Sequence, residues 1–203
     1  NGVCSACLFA YQKQRVIDWK YREQQLQELC DKYRRNDGRY DIVVPASGGK
    51  DSAYVAHMLK HKYGMHPLTV TWAPHLYTDI GWKNLQNWIH IGGFDNYLFT
   101  PNGKVHRLIT RLAFTNLLHP FQPFILGQKN YPPKVALQHG IKLVFYGENE
   151  AEYGNPIADN ASSLRDSSYY SMQNLSEIRL GGVTATALQE EHGLTLSDIH
   201  TYL

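Results

Sequence analysis

The sequence predicts an α/β domain, doubly wound, with a mainly parallel sheet and helices on both faces. Three observations predict it. Short apolar runs, Tyr40 to Ala46, Pro67 to Trp72, Asn96 to Thr100 and Ile141 to Tyr146, read as buried strands. Longer stretches with helical periodicity stand between them, which implies right-handed crossovers and parallel pairing. The first strand also runs through a glycine turn straight into a helix, as ligand-binding α/β sheets do. A chain of 203 residues holds one such domain plus smaller attachments. The expected division is an N-terminal Cys-x-x-Cys segment and helix (1–36), the α/β domain (37–157), and a polar loop with a helical tail (158–203).

Composition excludes several classes. Hydrophobic content of 43% with 19% charged residues is ordinary for a globular protein. No apolar run approaches the roughly 20 residues that span a bilayer. The opening Asn1-Gly2-Val3-Cys4 is not a secretory signal. A net charge of +2 gives no nucleic-acid footprint. The chain is therefore expected in the cytoplasm, with no membrane and no nucleic acid among its partners. Three Cys, two of them close together, argue against a disulfide framework and fit a reducing compartment. The 10 His are scattered, and no His-x-x-x-His pair stands out on a helix. From the lack of an initiator Met, and a last helix only starting over Leu196 to Leu203, a trimmed or incomplete chain is expected.

Taken in order, Cys4-Ser5-Ala6-Cys7 is a Cys-x-x-Cys turn. Two thiolates supply half of a tetrahedral zinc site. The pair has three candidate roles: half of a zinc knuckle, a redox couple, or two thiols with none. Residues 16 to 35 form a long amphipathic helix with Ile17, Tyr21, Leu26, Leu29, Cys30 and Tyr33 on its apolar side. Asn36-Asp37-Gly38 ends it. After the first strand come Ser47-Gly48-Gly49-Lys50-Asp51-Ser52 and a helix from Ala53 that closes at Gly64. The second strand, Pro67 to Trp72, places Thr71, Trp72 and Ala73 at the carboxyl edge of the sheet. There Trp72 either stacks on a base or fills core. Thr78 caps a helix to Ile91, which Gly92-Gly93 stops. The third strand leads to a helix from Lys104 to Leu118. Residues 119 to 132 read as an irregular, proline-marked connection carrying Gln128 and Lys129, followed by a short helix from Pro133 to His139. Lys129, on that loop, either stabilises phosphate charge or is a solvated lysine. The fourth strand ends at Gly147-Glu148-Asn149, again on the ligand edge. Glu148 there is a magnesium ligand, a substrate contact, a base, or a plain surface carboxylate. Glu152, Tyr153 and Asn155 follow, and a polar stretch from Ala158 to Asn174, with Arg165, reads as a lid.

The six residues from Ser47 to Ser52 carry the chemistry. Adjacent glycines let the backbone turn tightly and aim N–H groups at an anion. The helix start adds unpaired N–H groups and the positive end of its dipole. Lys50 neutralises phosphate charge, Asp51 suits magnesium, and Ser47 and Ser52 donate to phosphate or cap the helix. This is neither a Walker A loop nor a dinucleotide fingerprint, whose spacings differ. It resembles the PP-loop of the ATP pyrophosphatases, Ser-Gly-Gly-x-Asp-Ser. That resemblance implies ATP held by Ala46, Ser47, Gly48, Gly49, Lys50, Asp51, Ser52, Thr71 and Trp72, and attack on the α-phosphate with release of pyrophosphate. It implies Mg2+ on Asp51.

More of the chain resembles a narrower family. Gly2-Val3-Cys4-Ser5-Ala6-Cys7, Ile17-Asp18-Trp19, the phosphate loop, Thr78-Asp79-Ile80-Gly81, Phe99-Thr100-Pro101-Asn102, Pro120-Phe121-Gln122-Pro123-Phe124 and Tyr146-Gly147-Glu148-Asn149 look like the N-acetyl sugar amidotransferases of surface-polysaccharide biosynthesis. The match runs from Gly2 to about Gly154. It implies conversion of an acetamido group on a nucleotide-activated sugar to an acetamidino group, in lipopolysaccharide O-antigen or nonulosonic-acid biosynthesis. Lys50, Asp51, Lys129 and Glu148 are then the catalytic candidates, and Gln128, Asn149 and Tyr153 the substrate contacts. A partner glutaminase with its channelling subunit, similar to the histidine-pathway pair, supplies ammonia. The family pattern has a further Cys-x-x-Cys upstream, so Cys4 and Cys7 are at most a partial Zn2+ site here. No Ser-His-Asp set or glutaminase Cys-His pair is evident, in keeping with imported ammonia. Two alternatives remain: a tRNA-modifying thiolase with the same loop, and a non-catalytic nucleotide-binding subunit.

Overall fold

A computed structural model describes residues 2–148 and 178–203. The N-terminal segment forms two helices, α1 (Ser5–Arg15) and α2 (Trp19–Tyr33). Asp18 separates them: its carboxylate accepts the N–H groups of Lys20 and Tyr21 and caps α2. The amphipathic helix therefore starts later than its apolar pattern implies. Cys4 and Cys7 sit at the start of α1 rather than on a free turn. The α/β region follows as β1 (Ile42–Pro45), α3 (Lys50–His61), β2 (Pro67–Trp72), α4 (Asp79–His90), β3 (Asp95–Phe99), α5 (Gly103–Leu117), α6 (Gln122–Gln138) and β4 (Leu143–Val144). The remaining described residues make a hairpin, β5 (Arg179–Leu180) and β6 (Val183–Thr184), then α7 (Ala185–His192), α8 (Leu196–Ile199) and a 3-10 turn, His200–Tyr202.

The first four strands form one parallel sheet in the order β3-β2-β1-β4. The chain steps outward from β1 to β3, then returns to the far side of β1. The direction of winding thus reverses between β1 and β4. Side chains of β1 alternate across the sheet as strand geometry requires. Ile42 and Val44 pack with Cys30, Ala56, Leu59, Tyr63, Trp88 and Phe94 of the α2, α3 and α4 side. Val43 packs on the other face with Leu68, Val70, Val135, Ala136 and Ile141, on the α6 side. The doubly wound arrangement expected from the sequence is present, and β1 is buried on both faces.

A third apolar cluster extends the molecule beyond the sheet. Trp72, Val105, Ile109, Leu180, Ala185, Leu188, Ile199 and Tyr202 are all buried in it. The C-terminal helical tail expected from the sequence thus supplies core, while the polar stretch from 158 to 174 lies outside the described residues. Gly127 lets α6 lie flat on Trp72, since a Cβ there would stand 2.2 Å from the indole ring.

Two elements differ from expectation. Residues 122 to 138 are one helix, not a connection and a short helix. Pro123 lies in its first turn, where no N–H is needed. Pro132 and Pro133 lie inside it and remove two interior donors. Pro133 cannot serve the carbonyl of Lys129, four residues back; the hydroxyl of Tyr146 donates to it instead, at 2.8 Å. A tertiary contact thus satisfies the group that the proline leaves open. Strand β4 is also shorter than predicted. Ile141 is spent closing the turn after α6, its N–H on the Ala136 carbonyl, while Phe145 still bonds Val43 across the sheet.

His106 is a buried titratable group beside the third cluster, at 7% exposure. Its Nδ1 lies 2.9 Å from the Tyr202 hydroxyl, and its Nε2 has no partner among the described residues. Burial, and secondarily His75, push its pKa down to about 4 from the ordinary 6.5. Between those values the unfolded chain binds the proton and the folded chain does not. Stability therefore falls as pH drops through that window and levels off below it, by up to about 3 kcal/mol. Urea unfolding at pH 7 and pH 5 should show about 2 kcal/mol of this loss, and His106→Gln should flatten it.

Candidate functional site

The carboxyl ends of β1 and β4, where the winding reverses, are the place at which open α/β sheets present a ligand crevice. The loop Ser47–Gly49 leaves β1 there. Its point of departure is fixed, because the N–H of Ala46 still bonds the Val70 carbonyl at 2.8 Å. Gly48 has φ +83, and a Cβ on it would stand 2.8 Å from the backbone N of Leu85 in α4 and 2.9 Å from its Cα. Only glycine meets both conditions. Gly49 is the N-cap of α3 and supplies no capping side chain. Among the described residues no capping side chain meets the N–H groups of the first turn, which stand at the positive end of the helix dipole, where an anion is favoured. Ser52 turns its hydroxyl to the Gly49 carbonyl at 3.3 Å, so it braces the turn rather than capping it.

Charge is mounted on this turn. The Lys50 ammonium lies 2.8 Å from each oxygen of Asp51, and the two side chains are 88% and 59% exposed. An exposed pair of this kind is worth about 0–1 kcal/mol. Asp51 suits Mg2+: a hard oxygen donor beside a phosphate cradle is how that ion is usually held, the phosphates completing its shell.

The other wall comes from β4. A Cβ on Gly147 would stand 2.8 Å from the backbone N of Ser52 and 2.9 Å from its Cα. The chain leaving β4 is thus pressed against the first turn of α3, and exposed Glu148 follows directly. Lys129 and Gln128 are half-buried on α6, not on a loop. The Tyr146–Lys129 hydrogen bond ties that stretch of α6 to the end of β4. The structure therefore gathers Ser47 to Ser52, Lys129 and Glu148 at one edge of the sheet.

Thr71 and Trp72 reach that edge by position but turn their side chains inward. Thr71 Oγ1 donates to Asn96 Oδ1 at 2.9 Å inside the sheet. Trp72 is 2% exposed, its ring 4.8 Å from Phe99 and 5.2 Å from Tyr202 between centroids. It is a core tryptophan, and its face is not open to a base. Asn149, Glu152, Tyr153, Asn155 and Arg165 lie outside the described residues.

Cys4 and Cys7 are exposed. The backbone N–H and thiol of Cys7 bond the Cys4 sulfur and hold its thiol below the ordinary range, while Cys7 is pushed up by the same bond. Among the described residues no group of three or more His, Cys, Asp or Glu gathers as a metal cluster. Two thiols alone do not make a closed structural zinc site. No helix of the described residues is long and apolar enough to cross a membrane.

Three contributors escaped the sequence: Gly147 as a contact on α3, Tyr146 as the partner of α6, and the backbone of Leu85. A glycine directly after a ligand-edge strand is a signal for the first. Nothing in the sequence marks Leu85.

No family model matches this chain, and no curated protein matches it. Among solved structures it is similar to an NMN synthetase from Francisella tularensis, with 20% identity and a TM-score of 0.46 over 63% of this chain and 53% of that one. It is also similar to an NH3-dependent NAD synthetase from Campylobacter jejuni subsp. jejuni in complex with the nitrate ion, with 14% identity and a TM-score of 0.48 over 91% of this chain and 77% of that one. The chain spans about half the length of the NMN synthetase.

Gly48 and Gly49 separate the loop's conformational demand from its composition. Gly48→Ala places a side chain at positive φ and against the α4 backbone, at a cost of about 1–3 kcal/mol. It should weaken ATP binding at least tenfold in equilibrium titration and lower Tm. Gly49 has an extended backbone and meets only the Ser47 hydroxyl at 3.5 Å. Gly49→Ala should therefore bind within a few-fold of the parent.

Proposed function

We propose that this chain is an ATP-dependent, pyrophosphate-forming amidotransferase acting on the acetamido group of a nucleotide-activated sugar. The observation that supports it most is the loop Ser47–Ser52 held at the β1/β4 switch point, with Lys50 and Asp51 on the first turn of α3, no capping side chain at Gly49, and Glu148 on the same edge. That arrangement suits binding of a triphosphate and cleavage next to its α-phosphate. The acceptor is supported by the blocks at Thr78–Gly81, Pro120–Phe124 and Tyr146–Asn149, through their resemblance to sugar amidotransferases.

An amide oxygen is a poor leaving group, and adenylation turns it into a good one. The amide oxygen attacks the α-phosphorus, the bond to the bridging oxygen breaks, and pyrophosphate departs with the electron pair. Ammonia then adds to the imidate carbon, AMP leaves, and one proton is lost. The N–H groups of the first turn and the Lys50 ammonium hold the departing pyrophosphate and the charge that develops on it. Lys129 faces the same task from α6. Asp51 would hold Mg2+, whose charge would shield the phosphates. Glu148 takes up the proton released as ammonia becomes the amidine nitrogen. The ammonia comes from a partner glutaminase and its channelling subunit, and the reaction takes place in the cytoplasm.

Incubation of acetamido nucleotide sugars with ATP, Mg2+ and ammonium should yield a product lighter by the difference between O and NH, read by mass spectrometry. Unchanged masses across the panel would sink the acceptor. Asp51→Asn should reduce turnover at least about 100-fold with the fold intact by circular dichroism. Binding of tRNA with a steep dependence on salt would favour a thiolase instead.

A further inference from the structure

We propose a divalent transition-metal site on the exposed face of α3, formed by the imidazoles of His57 and His61. It takes Zn2+, Ni2+ or Cu2+ and is independent of the phosphate loop and of the reaction assigned to it. The sequence offered no His-x-x-x-His pair that stood out, yet these two residues stand four apart, and α3 brings them together. Residues at that spacing are neighbours on one face of a helix. Both side chains are exposed, and their ring centroids lie 4.4 Å apart with planes at 45°.

The geometry can be compared with a chelate. A metal about 2.0–2.1 Å from one nitrogen of each ring lies about 3.2 Å from each centroid. Ligand angles between 90° and 109° then set the centroids about 4.5–5.2 Å apart. The observed separation is within a few tenths of an ångström of that range, which small rotations of exposed side chains supply. Two imidazoles at i and i+4 are also the ligand pair by which helices hold zinc in larger sites. Imidazole suits Zn2+, Cu2+ and Ni2+ and is a poor ligand for Mg2+, so the pair does not compete with Asp51 for its ion.

The surroundings are compatible with a cation. The site lies in the last turns of α3, at the negative end of the helix dipole. The two nearest lysines on the helix are engaged elsewhere. Lys60 donates to the Gly93 carbonyl at 2.5 Å and covers the ring of Phe94, and Lys62 pairs with Glu23. Water completes the coordination shell, since no third His, Cys, Asp or Glu joins the pair among the described residues. The site is therefore open, and it is expected to bind more weakly than a closed structural site.

The test is calorimetric titration of Zn2+ alone into the untagged chain carrying Cys4→Ser and Cys7→Ser, which removes the exposed thiols as competitors. One equivalent should bind, and the imidazole resonances of His57 and His61 should shift together in NMR spectra. His57→Ala and His61→Ala should each weaken binding at least tenfold, and the double variant should be no weaker than either, because one imidazole alone cannot chelate. Alanine at exposed helix positions favours the helix, so the variants should keep the parent's Tm in EDTA. Absence of binding, or a titration unchanged by either substitution, overturns the proposal. Because ATP turnover in Mg2+ does not draw on the pair, that result would leave the amidotransferase reading as it was.

Discussion

Two backbone contacts that leave no room for a Cβ hold the first turn of α3 in place. On one side Gly48 meets the backbone of Leu85 in α4; on the other, Gly147 meets the backbone of Ser52. A side chain at either glycine would force main chain against main chain, which a packed interior does not absorb. The phosphate loop is thus clamped between a helix and the end of a strand before any ligand arrives. Its N–H groups are aimed by covalent geometry and packing rather than by the anion. A preorganised cradle of this sort loses little entropy on binding, which is the physical reason to regard it as a site and not as a turn.

That clamp depends on the sheet behind it. β1 carries the loop and is buried on both faces, Ile42 and Val44 toward the α2–α4 side and Val43 toward α6. Each fully buried aliphatic contributes about 1.5–3 kcal/mol, so β1 cannot shift without losing core on both sides. The position of β4 follows from α6. The interior prolines of α6 leave a carbonyl open at Lys129, and Tyr146, just past β4, fills it. Packing of α6 on the sheet is thereby linked to the placement of Gly147 and Glu148. Gly127 against Trp72 anchors the same helix to the third cluster. Core and site share these elements, so changes far from the loop act on it through the backbone.

The run from Tyr40 through the loop into α3 was legible because local signals agree there: an apolar strand, adjacent glycines, then helical periodicity. The parallel sheet followed from the alternation of strands and helices. α6 was not legible, since Pro120, Pro123, Pro132 and Pro133 each argue locally for a break. What permits that helix is a first-turn proline that needs no donor and a hydroxyl from Tyr146, a residue well downstream. Trp72 could not be assigned either, because burial of an indole depends on Gly127, Phe99 and Tyr202, which no local pattern brings to it. The histidine pair on α3 escaped for a different reason. His57 and His61 stand four apart in the sequence, and only the helix formed by α3 turns that spacing into a contact between the rings. Leu180, Leu188, Ile199 and Tyr202 sit in elements too short to show a period, so nothing local marks the core that the tail supplies.

The central claim is that this cradle holds ATP for cleavage at the α-phosphate, not the γ-phosphate. On that proposal the loop would hold pyrophosphate as a leaving group, and the acceptor would be adenylated. Phosphorus NMR of the products formed from ATP with Mg2+, ammonium and an acetamido nucleotide sugar tests this most directly. The account predicts AMP and pyrophosphate in equal amounts. Formation of ADP and inorganic phosphate would contradict it.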